Sequence, residues 1–216
     1  MGATSRSQML YWFALFVGAT YFVATRTGFQ NADMTAWKGA GVGLLALWAA
    51  RHAQTREGWA ITAVLGFGAA GDVLLETHGL VVGAVAFLVG HLIAIWLYLR
   101  HRRGGVGVVV GGAFMVAAVG YTLSGDPGVA VYALALGAMA GAAWTSDLPR
   151  RVALGAALFV LSDLLIFARM GPLADSPLPD WLIWPTYFAG QALIAHGVIS
   201  AQERTGTPDD DLHHRL

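Results

Sequence analysis

Eight long apolar runs, separated by short polar breaks, constrain what this chain can fold into more than any other feature of its sequence. A helix needs about 20 apolar residues to cross a bilayer, and it satisfies its own backbone groups there. No run shows the period-two alternation that is typical of a barrel strand. We therefore expect an all-α, polytopic membrane protein with eight transmembrane helices. The runs cover residues 9–25, 34–50, 59–76, 79–100, 105–124, 127–146, 151–169 and 181–201.

Composition agrees with this fold class and limits the partners. Only 12% of the residues are charged, against roughly 25% in soluble domains. We expect one eight-helix transmembrane domain over residues 1–204 and a polar C-terminal tail over residues 205–216. Basic and acidic residues number 13 each, so there is no net charge to attract nucleic acid. Cysteine is absent, the tail is interpreted as a solvated end, and we expect neither a metal nor a cofactor.

The basic residues are unevenly divided between the two faces of this topology. Ten fall on the face that carries both termini, and three fall on the opposite face. Retained basic residues mark the cytoplasmic side of a membrane protein. We therefore expect a multi-pass protein of the inner (cytoplasmic) membrane of a bacterium, with both termini cytoplasmic. The ten are Arg6, Arg51, Arg56, Arg100, Arg102, Arg103, Arg150, Arg151, Arg204 and Arg215, and the three are Arg26, Lys38 and Arg169.

Three ionisable residues lie deep within the predicted spans, namely Asp72, His91 and Asp163. Burial of a charged side chain at mid-bilayer costs at least about 2.5 kcal/mol, so residues of this kind in a membrane helix usually have a function. Asp72 and Asp163 lie at nearly equal depth in helices that run in the same direction, and we expect them to face one cavity. Alternatively, the aspartates bridge helices as a structural polar pair, and His91 only packs.

Two local matches suggest that the second half of the chain repeats the first. Residues 71–75 resemble residues 162–166, since both have a small residue, an aspartate and an apolar triplet. Residues 87–91 align with residues 187–191, and a polar side chain follows glycine in both. The matches favour a 4+4 parallel pseudo-repeat in which each half supplies part of one site.

Further polar side chains are candidates for the lining of that site. Tyr132 and Tyr187 lie at a depth from which their hydroxyls could reach the aspartates, although interfacial aromatics occur at similar depths. Gln191 lies in the middle of the eighth predicted helix. Glu76, one turn beyond Asp72, either joins the site or reaches the membrane interface.

Five elements in one order carry a resemblance to a known family. They are residues 71–75, Phe87 with 90–91, Tyr132 with Met139, residues 158–163, and Tyr187 with 190–191. In these elements the chain resembles the YhhN-like family of lysoplasmalogenases.

The resemblance implies an eight-helix membrane enzyme that hydrolyses the vinyl ether bond of lysoplasmalogens. The products are a fatty aldehyde and glycerophosphoethanolamine or glycerophosphocholine, and no cofactor is implied. The resemblance makes Asp72 and Asp163 catalytic, with His91, Tyr132, Tyr187 and Gln191 in the pocket. The implied partners are a lysophospholipid substrate and membrane lipid, and the oligomeric state is left open.

Two carboxyl groups suit that chemistry, because a vinyl ether is cleaved by protonation of its β-carbon followed by attack of water. One acid delivers the proton while an ionised partner stabilises the cation and activates water. Ser162 can donate a hydrogen bond to the neighbouring Asp163 and favour its ionised form, which suggests Asp72 as acid and Asp163 as base.

A small proton-coupled transporter that uses the same aspartates is the alternative function. It lacks a broken-helix motif, because Pro149 and Pro185 both lie at predicted helix starts, where proline is tolerated.

Overall fold

The computed structural model describes residues 3–27 and 33–205, with the side chains of residues 8–27 and 34–204. Within these residues it confirms the all-α class with eight helices. Each predicted apolar run matches one helix to within a few residues at either end. The helices are α1 (Ala3–Arg26), α2 (Asp33–His52), α3 (Arg56–His78), α4 (Leu80–Arg100), α5 (Val106–Ser124), α6 (Pro127–Thr145), α7 (Arg150–Arg169) and α8 (Leu178–Thr205).

Six of the eight helices in the described part of the chain, all except α2 and α8, are long and apolar enough to cross a membrane. Helix α2 has 20 residues and α8 has 28, so each reaches the roughly 30 Å of a hydrocarbon core at 1.5 Å per residue. Both are packed against the others, α2 on α1, α3 and α8, and α8 on α3 and α7. Of the polar side chains of α8, those of Gln191 and Gln202 are buried among neighbouring helices.

The turns are as short as the sequence predicts, and two of them depend on glycine. Gly79 alone separates α3 from α4 and has a φ of 87°, a conformation that costs glycine little. Gly125 adopts the left-handed conformation after α5, and the Asp126 side chain then accepts a hydrogen bond from the Gly128 N–H at 2.6 Å. Pro127 occupies the first turn of α6, where its missing N–H costs nothing.

The turns at one end of the bundle are joined to one another. The Asp147 N–H donates to the His101 carbonyl at 2.8 Å, and Arg103 Nε donates to the Asp147 carboxylate at 2.7 Å. This hydrogen bond from Arg103 holds the pKa of Asp147 below its ordinary value. Gln202 near the end of α8 donates to the His52 carbonyl at 2.6 Å and accepts from Thr55 at 2.8 Å. Most of the basic residues lie at this end, which we call the basic end.

The other end of the bundle carries the remaining three basic residues whose side chains the structure describes. Lys38 binds Glu76 at 2.7 Å, Arg169 binds Asp180 at 3.1 Å, and Arg26 donates to the Asp180 carbonyl. The helices therefore separate the described basic residues into the two groups predicted from the sequence. Which end faces the cytoplasm stays a prediction.

The position of Pro185 differs from the prediction. Helix α8 begins at Leu178, so Pro185 lies inside the helix and not at its start. A proline within a membrane helix is tolerated where hydroxyl side chains bind the nearby carbonyls. The Thr186 hydroxyl donates to the Leu182 carbonyl at 2.7 Å, and Ser162 of α7 donates to the Ile183 carbonyl at 3.1 Å.

Glycines allow the closest approaches between helices. A Cβ on Gly137 of α6 would lie 2.9 Å from the Ala113 Cα of α5, and one on Gly141 would lie 2.8 Å from the Val109 Cα. Small residues four apart let helix backbones approach closely in a membrane. Gly137 and Gly141 therefore let α5 and α6 pack backbone to backbone.

A related contact occurs once in each half of the chain. A Cβ on Gly190 of α8 would lie 2.7 Å from the Gly155 carbonyl oxygen of α7, and one on Gly90 of α4 would lie 3.5 Å from the Val64 carbonyl oxygen of α3. Gly155 and Val64 each precede their aspartate by eight residues. The matched sequence elements thus pack through matched positions.

We expect Gly137→Ala to destabilise the protein, because the added methyl group meets the backbone of α5, which cannot rotate away. Overpacking of this kind costs about 1–3 kcal/mol. Thermal unfolding of the purified protein in detergent measures the effect. Gly111→Ala is the matched control, because a Cβ there meets no atom within 4 Å. Equal melting temperatures for the two variants would contradict the packing role.

Candidate active site

Asp72 and Asp163 line one cavity of about 400 Å³. The walls come from α2, α3, α4, α6, α7 and α8 and are mostly apolar, with Phe87, Leu88 and Phe167 among them. The volume lies within the range of small-molecule sites, roughly 300–1,000 Å³. The expectation that both aspartates face a shared cavity is confirmed for this part of the protein.

The Asp72 carboxyl group is held by a tyrosine from α8. Asp72 is 2% exposed, and its Oδ2 accepts a hydrogen bond from the Tyr187 hydroxyl at 2.9 Å. Gln191, one turn further along α8, donates a hydrogen bond from its Nε2 to the same hydroxyl oxygen at 3.4 Å. These three residues form what we call the glutamine arm.

The Asp163 carboxyl group is held by a tyrosine from α6. Asp163 is 6% exposed, and its Oδ2 accepts a hydrogen bond from the Tyr132 hydroxyl at 2.8 Å. His91 of α4 is buried, and its Nε2 lies 2.9 Å from the same hydroxyl oxygen. These three residues form what we call the histidine arm.

The two arms have the same order of groups, from carboxyl group to tyrosine to nitrogen-bearing side chain. His91 and Gln191 occupy matched positions of the sequence repeat, and so do Asp163 and Asp72. The arms differ in chemistry, because an imidazole can give or take a proton and an amide can do neither. The tyrosines come from helices that are not repeat partners, so the repeat does not predict them. Their depth in the sequence does, and the expectation that both hydroxyls reach the aspartates is confirmed.

Aromatic rings fill the space between the arms. Phe159, one turn before Asp163, has its ring centroid 5.0 Å from that of His91 and 5.2 Å from that of Tyr187, both edge to face. Phe87 makes a similar contact with Tyr187 at 5.8 Å. Edge-to-face packing is the preferred arrangement of such rings. The rings hold the tyrosines and the imidazole in fixed orientations beside the carboxyl groups.

One predicted contact of the site is wrong, and a second candidate residue lies beside the cavity. Ser162 lines the cavity, but its hydroxyl donates to the Ile183 carbonyl beside the proline of α8 and not to Asp163. Glu76 binds Lys38 at 2.7 Å. It lines a second, neighbouring cavity instead of the one that contains Asp72.

Two residues of the site carry no strong sequence signal. Gly68, one turn before Asp72, leaves room for the glutamine arm, because a Cβ there would lie 2.7 Å from Gln191 Nε2. Lys38 of α2 lines the same cavity as the aspartates. Its position in the sequence, near the start of a helix, is also typical of an interfacial lysine.

The cavity reaches the outer surface of the bundle between α4 and α6. Val81 of α4 and Val131 of α6 line it, and they are 75% and 66% exposed. Val85 of α4 lines it as well and is also exposed. Apolar side chains exposed on a membrane helix face lipid tails. A lipid chain could therefore enter the cavity sideways.

No group of three or more His, Asp or Glu side chains is arranged to hold a metal ion within the described residues. The tail segment Asp209–Asp211, with His213 and His214, lies outside these residues. The polar side chains that line the cavity carry carboxyl, hydroxyl and ammonium groups, and carboxyl groups supply acid and base chemistry directly. His91 and Gln191 do not line it and contact it through Tyr132 and Tyr187.

Comparison with known proteins gives one match. A family model described as the YhhN family matches residues 34–198, which include both arms. No curated protein and no solved structure matches the chain.

We expect Tyr132→Phe and Tyr187→Phe each to lower the free energy of unfolding by about 1–3 kcal/mol, because each leaves a buried carboxyl group without its donor. Thermal unfolding in detergent measures the loss. Tyr121→Phe is the control, since Tyr121 is largely exposed on α5. Losses no larger than that of the control would show that the tyrosines do not hold the aspartates.

Proposed function

The chain belongs to the YhhN family, and from that premise we propose that it is an intramembrane lysoplasmalogenase. The enzyme hydrolyses the vinyl ether bond of a lysoplasmalogen. It releases a fatty aldehyde and glycerophosphoethanolamine or glycerophosphocholine. Asp72 and Asp163 are the catalytic residues, and His91, Tyr132, Tyr187 and Gln191 position them.

One observation carries the proposal: two buried carboxyl groups, each held by a tyrosine, line an apolar cavity that opens towards lipid. The apolar walls suit a hydrocarbon chain, and the sideways opening suits a substrate that stays in the membrane. The paired carboxyl groups suit acid–base cleavage of an ether, as in glycoside hydrolysis.

The reaction begins with proton transfer from one carboxylic acid to the β-carbon of the vinyl ether. The double-bond electrons form the new C–H bond, and the α-carbon becomes part of an oxocarbenium ion. The ionised second carboxylate stabilises this cation. It then takes a proton from water as the water oxygen bonds to the α-carbon, which gives a hemiacetal.

Collapse of the hemiacetal restores both aspartates. The second carboxyl group, now protonated, gives its proton to the glycerol oxygen as the bond from that oxygen to the α-carbon breaks. The first carboxylate takes the hydroxyl proton of the hemiacetal as the aldehyde forms. The cycle consumes one water molecule and needs no other co-reactant.

We assign Asp163 as the acid and Asp72 as the base, the reverse of the sequence-based expectation. That expectation depended on a hydrogen bond from Ser162 to Asp163, and Ser162 binds elsewhere. Lys38 lines the cavity and binds Glu76, one turn from Asp72 on α3. A nearby cation suits the carboxylate that holds negative charge before water attacks.

Asp72→Asn and Asp163→Asn should each lower aldehyde release from a lysoplasmalogen by at least about a hundredfold, the usual contribution of a positioned acid or base. The purified variants should stay folded in detergent. Asp147→Asn, at the basic end, is the matched control and should keep full activity. Full activity in either cavity variant would remove that residue from the mechanism.

Azide distinguishes the two roles, because it attacks an oxocarbenium ion without needing a base. Consumption of substrate by Asp72→Ala should recover with added azide, whereas Asp163→Ala, which forms no cation, should not respond. Recovery of Asp163→Ala alone would reverse the assignment.

The transporter alternative predicts a different outcome. A transporter would release no aldehyde in detergent and would move protons across proteoliposomes in a manner that depends on both aspartates. That combination of results would replace the hydrolase proposal.

A further inference from the structure

A second cavity of about 630 Å³ adjoins the first at the end of the bundle opposite the basic end. We call it the charged vestibule. Its charged lining consists of Arg26, Lys38, Glu76, Arg169 and Asp180. The remaining lining is largely apolar and is shared with the first cavity, including Leu75, Ile183 and Trp184. A molecule could therefore occupy both cavities at once.

The charges of the vestibule are unusual for their position. Arg26, Lys38 and Arg169 are the three basic residues that the sequence places on this face, and all three line the same cavity. Interfacial anchors would be spread around the bundle and would point outwards. Their convergence indicates a site for a negatively charged group.

The Lys38 side chain is largely buried where the two cavities meet. The Lys38 side chain is 16% exposed, and it lines both cavities. Its single described ion-pair partner, Glu76, is about half exposed. An ammonium group has three donors, so Lys38 can bind Glu76 and a further acceptor. A charge-assisted hydrogen bond at such a partly buried position is stronger than one at the surface.

Arg26 and Arg169 also have N–H groups that can donate hydrogen bonds to a ligand. Arg26 donates to the Asp180 carbonyl and stacks on Trp181 at 4.4 Å, and its Nε is buried without a hydrogen bond to any described residue. Arg169 binds Asp180 through one nitrogen and is half exposed. Guanidinium groups match the geometry of phosphate oxygens.

We propose that the charged vestibule binds the phosphate of a zwitterionic lysophospholipid headgroup, with the ammonium group of that headgroup towards Glu76 and Asp180. This inference depends on the proposed function for the identity of the lipid. Three cations and two carboxylates lie together, so the vestibule presents both charges that such a headgroup carries.

The spacing along α3 supports this placement. Glu76 lies four residues beyond Asp72, which is about 6 Å along a helix. Lys38 binds Glu76, so a phosphate held by Lys38 lies roughly one helical turn from the carboxyl group of Asp72. The glycerol unit and the first chain carbons of the lipid can span that separation. The vinyl ether then lies beside the aspartates, and the chain extends towards Val81 and Val131.

Binding of uncleavable lipids tests the site without hydrolysis. The probes are a saturated alkyl-ether lysophosphatidylcholine and the alkylglycerol of the same chain length, titrated into the detergent-solubilised protein by calorimetry. The wild type should bind the phosphate-bearing lipid at least about tenfold more tightly, as expected for charged hydrogen bonds. Neither probe can be hydrolysed, so this preference can be measured even if the hydrolase proposal fails.

Substitutions test whether the charged vestibule causes the preference for the phosphate-bearing lipid. Lys38→Gln and Arg169→Gln should each reduce binding of the phosphate-bearing lipid about ten- to a hundredfold and leave alkylglycerol binding unchanged. Arg103→Gln, at the basic end, is the matched control and should bind as the wild type does. If Lys38→Gln does not fold, Arg169→Gln and the charge-preserving Lys38→Arg decide the question, the first losing the preference and the second keeping it.

Three outcomes would overturn the proposal. Equal affinity of the wild type for the two lipids would show that no phosphate site exists. An unchanged preference in Arg169→Gln and in a folded Lys38→Gln would place the site elsewhere. Binding of inorganic phosphate as tight as that of glycerophosphocholine would assign the vestibule to free phosphate instead of a lipid headgroup.

Discussion

The burial of two carboxyl groups among apolar helices is the constraint on which the site depends. Such groups are costly in a membrane unless other polar groups bind them, and here each receives one tyrosine hydroxyl. The tyrosines come from α6 and α8, while the aspartates come from α3 and α7. The hydrogen bonds therefore tie together four helices around one cavity. The same hydrogen bonds orient the two carboxyl groups, so the contacts that stabilise the bundle also arrange the site.

The glycine contacts of the bundle make this arrangement possible. Gly155 and Gly190 bring the backbones of α7 and α8 together about two turns before Asp163, and Gly68 leaves space beside Asp72 for Gln191. Close backbone approach is how membrane helices gain packing energy without a hydrophobic driving force between them. The cavity is open towards α4 and α6, where exposed valines line it. Rigid packing on one side and an open lipid-facing side are what a membrane-embedded substrate requires.

The helices and the aspartates could be predicted from the sequence because each signal is local. An apolar run of sufficient length predicts its own helix, and a charge such as Asp72 inside one is conspicuous. The direction of the Ser162 hydroxyl could not be predicted, because it depends on a carbonyl of α8 near Pro185. The ion pair between Glu76 and Lys38 could not be predicted for a similar reason, since the two residues are 38 positions apart in the sequence. The repeat predicted that His91 and Gln191 are equivalent, but not that tyrosines from unrelated positions connect them to the acids.

Hydrolysis of a lysoplasmalogen in ¹⁸O-labelled water by the purified protein tests the central claim most directly. Protonation of the vinyl β-carbon and attack of water on the α-carbon leave the original oxygen on glycerol. The released glycerophosphoethanolamine or glycerophosphocholine should therefore carry no label by mass spectrometry, and an equal amount of aldehyde should form. A labelled glycerol oxygen, or the absence of aldehyde with a correctly folded protein, would contradict a two-aspartate cleavage of the vinyl ether.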